Sequence, residues 1–411
     1  MYQKLMRIAF MIRKIILSIV LLGLSVFIRR KENYVALGSW RGELYLDNSK
    51  YLAEYLRDNR KDIKIFWVGN KEIEDVVVRN LRDVVFIQKD HFLDCIKLLR
   101  CKYMFFSQMH TADISVFNVY RGAVLCYLHH GFPIKKWGQD GLNERETDIK
   151  GIRRIMLKLC GNQVMYDYFV TSSQLQDITN CTALAYLGCT KEKNIHSGTP
   201  RNDIYFHVDR ERMDRLKNEY AKLIGFDKSS KVIVYLPTYR RTSTAVFTFT
   251  MLDNEKKSVI DRLLRRYNCV IIEKSHFAAA KKCDITKKDD RIIGCTQDIN
   301  VQELMMLSDV LISDYSGAIM DFLFLDRPII HYAYDYDYYR NVDSGLYYEI
   351  EDFSAGPIAQ TFEELVQCLR SCIEGEDSYS EKRMYVRNKY MSYECGKASE
   401  TITKVVIDGG T

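Results

Sequence analysis

The chain has 411 residues, of which 47% are hydrophobic and 28% charged, with a formal net charge of +6; this is too long for one typical core and predicts two globular domains. The Lys and Arg residues are spread along the chain without a zinc-finger or RRM-like signature, so a nucleic-acid partner is excluded. Twelve cysteines scattered singly, with no CxxC pair, favour a reducing compartment over a disulfide framework.

Residues 1–32 stand apart. Met1 to Lys14 is basic and amphipathic, Ile15 to Ile28 is apolar apart from two serines and a glycine, and Arg29, Arg30 and Lys31 close the segment. The apolar run is shorter than the roughly 20 residues that span a bilayer as a helix. No small-residue cleavage site follows, and the basic flanks suit an acidic membrane leaflet. The expectation is a peripheral or monotopic anchor lying on the membrane, with a single spanning helix as the alternative.

From Tyr34 the pattern alternates strand and helix. Tyr34 to Gly38, Ile63 to Val68, Val84 to Ile87, Tyr103 to Phe106 and Ala123 to Leu128 read as buried strands. A helix opens at Asp47 or Asn48 with Tyr51, Leu52, Tyr55 and Leu56 on one face, and another covers His91 to Leu99. Ile204 to Lys231 is rich in charge and lacks a strand signal, so it is expected to be a connecting helix. Alternation then restarts with strands at Val232 to Leu236, Cys269 to Ile272 and Arg291 to Ile293, and a helix over Leu252 to Tyr267. Asn300 opens a further helix, with Glu303 placed for a capping box. The expected division is 33–205 and 206–375, two α/β domains, followed by a helical tail over 376–411.

Within the second half, Ser308 to Tyr332 reads as strand, polar elbow, helix and strand. The elbow Ser313-Asp314-Tyr315-Ser316-Gly317 is either an anion seat on backbone N–H groups at a helix start or an ordinary βα turn with Ser313 or Ser316 as helix cap. Ligands of open parallel sheets lie beyond the carboxyl ends of the strands. His130, His276 and His331 fall at or near such ends, and the bland reading of each is a packed or capped side chain. His331 lies inside an apolar strand and stays in that class. His130 precedes the turn residues Gly131 and Pro133 and has Lys135 and Lys136 nearby, charges that favour a neutral imidazole able to act as a general base. Gly198 to Asp203 is a turn carrying Arg201; Arg240 and Arg241 follow a strand and suit either a phosphate clamp or solvated charge. Asp335-Tyr336-Asp337 has the look of an acidic metal motif but lacks the preceding hydrophobic strand and further carboxylates of a magnesium site.

Taken in order, His130-Gly131-x-Pro133-x-Lys135-Lys136, Gly198-x-Pro200-Arg201-x-Asp203, Leu236-Pro237-Thr238-Tyr239-Arg240, Lys274-x-His276, Ser313-Asp314-Tyr315-Ser316 and Asp335-x-x-x-Tyr339 resemble the CDP-glycerol glycerophosphotransferase family of teichoic-acid primases and polymerases. The resemblance runs from about Tyr34 to Thr403. It implies an α/β, glycosyltransferase-B type architecture of two Rossmann-like domains facing a central cleft, at the cytoplasmic face of the bacterial cell membrane. The implied donor is CDP-glycerol or CDP-ribitol, with no cofactor or metal required, and the implied acceptor is a polyprenyl-diphosphate-linked saccharide; homo-oligomerisation is left open. By the same resemblance His130 is the base and His276 stabilises charge on the pyrophosphate or leaving group. Ser313, Asp314, Ser316, Gly317, Arg240 and Arg340 are expected at the pyrophosphate, Pro237, Thr238 and Asp321 at the nucleoside, and Lys135, Lys136 and Arg201 on the acceptor side.

The chain departs from the family pattern at His129, where a tryptophan is expected, at Phe277 in place of a proline, and at Ser344-Gly345-Leu346-Tyr347, where Arg-Gly-Phe-Tyr is usual. These changes bear on which alditol is transferred. A nucleotide-sugar glycosyltransferase of the same fold and a non-catalytic membrane scaffold are the alternative readings.

Overall fold

The computed structural model describes residues 2–141, 159–161, 163–240, 246–274, 291–296, 298–343 and 345–410; Arg241, His276 and Ser344 lie outside them. The chain forms two compact units, one from Met1–His130, Glu144–Asp203 and Tyr393–Thr411, the other from Gly131–Asn143 and Ile204–Ser392.

The first unit is built on a seven-stranded sheet. Its strands are β1 (Lys31–Gly38), β2 (Lys64–Gly69), β3 (Val85–Gln88), β4 (Cys101–Phe106), β5 (Val124–Tyr127), β6 (Tyr168–Thr171) and β7 (Asn194–His196), in the order β3-β2-β1-β4-β5-β6-β7. Every pairing is parallel, with Val35 opposite Ile65 on one side and Tyr103 on the other. Parallel strands are covered on both faces, which is why they are continuous apolar runs. Val35, Leu37, Trp67 and Phe105 pack with Leu52 and Leu56 of the helix Asp47–Asn59. The last helix, Ala398–Val406, returns to this unit and adds Ile402 and Val406 to the same core. Its first turn is held by Asp203, whose carboxylate accepts from the Ala398 and Ser399 N–H groups at 2.8 and 2.9 Å. An acidic group at a helix start satisfies orphan donors and complements the dipole.

The second unit repeats the pattern with β8 (Lys231–Leu236), β9 (Cys269–Glu273), β10 (Ile292–Gly294), β11 (Val310–Ser313), β12 (Ile329–Tyr332) and β13 (Ile358–Ala359), in the order β10-β9-β8-β11-β12-β13 and again parallel. Ile233, Ile271, Ile312 and Ile330 line one face with Leu263 and Leu264 of the helix Asn254–Arg266. At the helix Val301–Leu307 the Asn300 side chain accepts from the Gln302 N–H, while the Glu303 carboxylate accepts from the Tyr220 hydroxyl at 2.6 Å. A complete capping box is formed instead by Thr361 and Glu364 at the helix Phe362–Glu374.

The N-terminal helix spans Tyr2–Phe27. It is anchored to the first unit by Leu21 and Ser18, both fully buried, and by the Asn118 N–H donating to the Ser18 hydroxyl at 3.3 Å. Arg30, just beyond it, donates to the carbonyls of Val119 and Arg121. The rest of the helix exposes Met11, Ile12, Ile16, Ile19, Val20 and Val26, and Phe27 is 87% exposed. Among the described residues no helix is long and apolar enough to cross a membrane.

Candidate active site

In both sheets the strand order reverses beside the first strand of the unit, between β1 and β4 and between β8 and β11. The crevice beyond the carboxyl ends of such a pair is where doubly wound sheets take ligands.

In the first unit this position is occupied by small polar side chains. The Ser49 hydroxyl donates to the Gly38 carbonyl at 2.7 Å and lies 3.0 Å from the Ser107 hydroxyl, so it ties the end of β1 to the end of β4. Asp113 closes the loops above, accepting from the N–H groups of Arg41, Ser107 and Gln108. Burial raises its carboxyl to about 7 against those three donors. Gly38 has to be glycine, because a Cβ there would meet the Asp113 carbonyl at 2.1 Å.

The neighbouring strand β5 leads into His129 and His130. His129 is buried and sits at φ +61°, a left-handed conformation that is unfavourable for a residue with a Cβ. Its ring packs on Tyr127 at 4.3 Å, and burial holds its imidazole well below the usual histidine range. Around this turn, Asn48 donates to the carbonyls of Leu128 and His129 at 3.0 and 2.8 Å, and Arg201 donates to the His130 carbonyl at 2.8 Å. Arg201 is itself paired with Asp47 at 3.0 Å, with both side chains buried. Its backbone N–H donates to the Asn48 side-chain oxygen at 3.1 Å. The His130 side chain is exposed, with Nδ1 3.3 Å from the Ser107 carbonyl. Arg201, expected on the acceptor side, is therefore engaged in holding the backbone of the histidine turn.

In the second unit the corresponding position is held by charge. Asp314 accepts from the Thr238 N–H at 3.0 Å and from the Thr238 hydroxyl, and pairs with Arg240 at 2.9 Å. Ser313 donates to the Leu236 carbonyl at 2.7 Å, a second tie between β8 and β11. The Arg240 side chain is fully buried, doubly bonded to Asp335 at 2.8 and 2.9 Å, and donates to the Thr238 carbonyl. Burial pulls its basicity down, but Asp314 and Asp335 more than offset this and hold the guanidinium above the usual arginine range. The rings of Tyr315, Tyr334 and Tyr339 enclose it within 4.6–5.6 Å. Arg240, Asp314, Thr238 and Ser313 thus form the frame of the turn, and Asp335, discounted as a metal ligand, is part of that frame.

The residues left toward the surface of this turn are Ser316 and Gly317, both half-buried. The Ser316 hydroxyl accepts from the Ala318 N–H at 3.2 Å, in the turn just before the helix. That helix, Ala318–Phe322, is one short turn that passes directly into a 3-10 turn over Leu323–Leu325. The helix dipole at this elbow is therefore short, and any anion binding there relies on local N–H groups. Gly317 is required by a close approach: a Cβ would meet the Phe132 carbonyl at 2.8 Å. Asp321 and Pro237 are buried. Arg340 is at the surface, paired with Glu349.

The segment after His130 belongs to this second unit. Lys135 bridges Leu346 in antiparallel fashion, the Lys136 N–H donates to the Gly345 carbonyl at 3.1 Å, and the Tyr347 N–H donates to the Ile134 carbonyl at 3.0 Å. Burial lowers the basicity of the Lys135 ammonium, while the carboxylates of Asp314 and Asp343 pull it back up. His331 is packed in β12, accepting from the Ala355 N–H at 3.0 Å, with burial lowering its imidazole to about 4. Among the described residues no cluster of three or more His, Cys, Asp or Glu side chains is arranged to hold a metal ion. Asp113 carries no periodic or motif signal, and Asn48 falls in the Asp47 to Tyr55 stretch that resembles the primases without any role attached to it; only their neighbours in space reveal their part in the site.

Two parallel, doubly wound sheets in one chain define a glycosyltransferase-B type α/β fold. Within that class the chain belongs to the CDP-glycerol:poly(glycerophosphate) glycerophosphotransferase family, whose sequence model matches residues 21–408, and it is an enzyme of that kind. It is 27% identical over 83% of its length, and 84% of the relative's, to a teichoic acid poly(glycerol phosphate) polymerase of Bacillus spizizenii. It is also 27% identical to a teichoic acid glycerol-phosphate transferase of Staphylococcus aureus, covering 91% of this chain and 93% of that one. The solved structure of the wall teichoic acid polymerase TagF superposes with a TM-score of 0.72 at 21% identity, over 92% of this chain and 90% of the other, which shows the shared fold.

Proposed function

We propose that the enzyme transfers glycerol phosphate, or a related alditol phosphate, from its CDP-activated form to a hydroxyl of a polyprenyl-diphosphate-linked saccharide. The acceptor oxygen bonds to the β-phosphorus, the bond from that phosphorus to the bridging oxygen breaks, and CMP leaves with the bridging oxygen. His130 takes the acceptor proton. The observation that carries this role is the 3.3 Å contact from Nδ1 to the Ser107 carbonyl. A carbonyl only accepts, so Nδ1 carries the hydrogen and Nε2 of the neutral ring is the basic nitrogen.

Phosphoryl transfer is chiefly positioning and charge stabilisation. Ser316 and Gly317 offer local N–H groups to the pyrophosphate, and Pro237 and Thr238 border the nucleoside. Lys135 is assigned to the donor rather than the acceptor, because it is bridged to Leu346 beside the position where the family usually has an arginine. Arg240 acts on the donor through Asp314 and Thr238, being fully buried itself. His276 keeps the role implied by the resemblance, stabilising charge on the leaving group. The exposed apolar side chains of the helix Tyr2–Phe27 support seating of the enzyme on a membrane surface, where a lipid-linked acceptor is presented; the cytoplasmic face is the one the resemblance implies.

The test is a donor screen with a lipid-linked acceptor. Release of CMP from CDP-glycerol or CDP-ribitol, with a product heavier by one or more alditol phosphates, is expected. Release of UDP from a sugar nucleotide with no CMP release would replace this reading by a glycosyltransferase.

A further inference from the structure

The turn that presents His130 is not self-supporting. His129 occupies the left-handed region at φ +61°, where a side chain with a Cβ and γ atoms is strained by on the order of 1 kcal/mol or more. Such a conformation persists only where its surroundings over-determine it. Here three successive carbonyls, those of Leu128, His129 and His130, each receive a donor from a buried side chain: Asn48 for the first two and Arg201 for the third. The two donors are locked to each other, since the Arg201 N–H donates to the Asn48 oxygen. Arg201 is locked in turn by Asp47 at 3.0 Å. Asp47 begins its helix at φ +67°, also left-handed, and its carboxylate accepts the Asn48 N–H at 2.8 Å. Buried polar groups that satisfy one another in this way rigidify what they hold.

We propose that Asp47, Asn48 and Arg201 form a positioning device for the base, fixing the His129 turn so that the His130 ring keeps its Nδ1 on the Ser107 carbonyl and aims Nε2 at the acceptor hydroxyl. The proposal rests on His130 being the base. None of the three residues touches substrate in this account. Their influence is exerted entirely through the placement of His130, and Arg201 is moved from acceptor binding to this role. Misplacing a reacting group by about 1 Å costs on the order of 10²-fold in rate.

A double-mutant cycle tests it, measuring CMP release from CDP-glycerol for wild type, Asn48→Ala, His130→Ala and the double variant. Asn48→Ala is expected to lower kcat by roughly tenfold to a hundredfold with the donor KM within about twofold of wild type. In the His130→Ala background the same change is expected to lower kcat less than about twofold further, because a residue that acts through His130 has nothing left to position. An equal fall in both backgrounds would overturn the proposal while leaving the base intact. If His130→Ala alone is as active as wild type, the base reading fails first, and the device has no purpose. Arg201→Lys, which keeps the charge opposite Asp47, gives the same two answers if Asn48→Ala does not fold.

Discussion

The two switch points share a strand order and differ in how they are held. In the first unit the carbonyls at the strand ends are satisfied mainly by hydroxyls and an amide, through Ser49 on Gly38 and Asn48 on Leu128 and His129, with the buried Arg201–Asp47 pair reaching only the His130 carbonyl. In the second a carboxylate collects backbone and side-chain donors, and a buried guanidinium balances it. The first arrangement fixes a strained turn and leaves an imidazole exposed. The second closes a charged cluster upon itself and leaves only Ser316 and Gly317 near the surface. Equivalent scaffolds are therefore held by different means; on the proposed reading, one unit presents the proton acceptor and the other a framed anion seat.

The contrast is broken most severely at Arg240. Removing it by Arg240→Ala leaves the buried Asp314 and the half-buried Asp335 without their cation, and the expected loss of stability is about 3–5 kcal/mol, read from urea unfolding. A loss below about 1 kcal/mol, the scale of one neutral hydrogen bond, would show that charge is not what holds the second switch point.

A resemblance between the units lies beneath this contrast. Each keeps one buried carboxyl raised to about 7, Asp113 in the first and Glu273 at the end of β9 in the second, in both cases by burial. A carboxyl whose folded pKa exceeds its unfolded value of 4.5 binds its proton more tightly in the folded state. Its stabilisation is complete below 4.5 and is lost as the pH rises through 7. Glu273→Gln is expected to remove up to about 3 kcal/mol of that decline, measured as unfolding free energy between pH 4.5 and 8, and so to leave the slope of Asp113. An unchanged slope would mean that Glu273 titrates alike in both states.

Lys135 sharpens the contrast more gently. If it serves the donor, Lys135→Ala is expected to raise the KM for CDP-glycerol by about tenfold, the scale of one charge-assisted contact, with the acceptor KM unchanged. The opposite pattern would return it to the acceptor.

Much of the architecture was legible because both faces of each sheet are covered, so residues 65–68 of β2, 103–106 of β4, 124–127 of β5, 232–236 of β8 and 269–272 of β9 are unbroken apolar runs. The strands that escaped, β6, β7 and β13, are two to four residues long, and their few apolar positions carry no period. Residues 131–143 read as an extension of the first domain, yet their backbone pairs with 345–347; a bridge between distant segments leaves no local trace. The site divided in the same way. His130 and the 313–317 elbow stood out through their turn residues, whereas the direction of a guanidinium is set by partners far along the chain: Asp47 for Arg201, Asp314 and Asp335 for Arg240. Asn48 was visible as a helix start and as part of the Asp47 to Tyr55 stretch that resembles the primases, but its role was not, since an amide that holds a distant strand end looks like any N-terminal polar residue. His276 lies outside the described residues, and its assignment still rests on the motif.

The central claim, that the base and the donor seat belong to different units, is tested most directly by calorimetric binding of CDP-glycerol to His130→Ala beside its turnover. The account predicts a Kd within about twofold of wild type, and a kcat lower by on the order of 10²-fold or more, as for loss of a general base. A variant that loses donor binding in proportion to turnover would contradict it and make His130 part of the donor site.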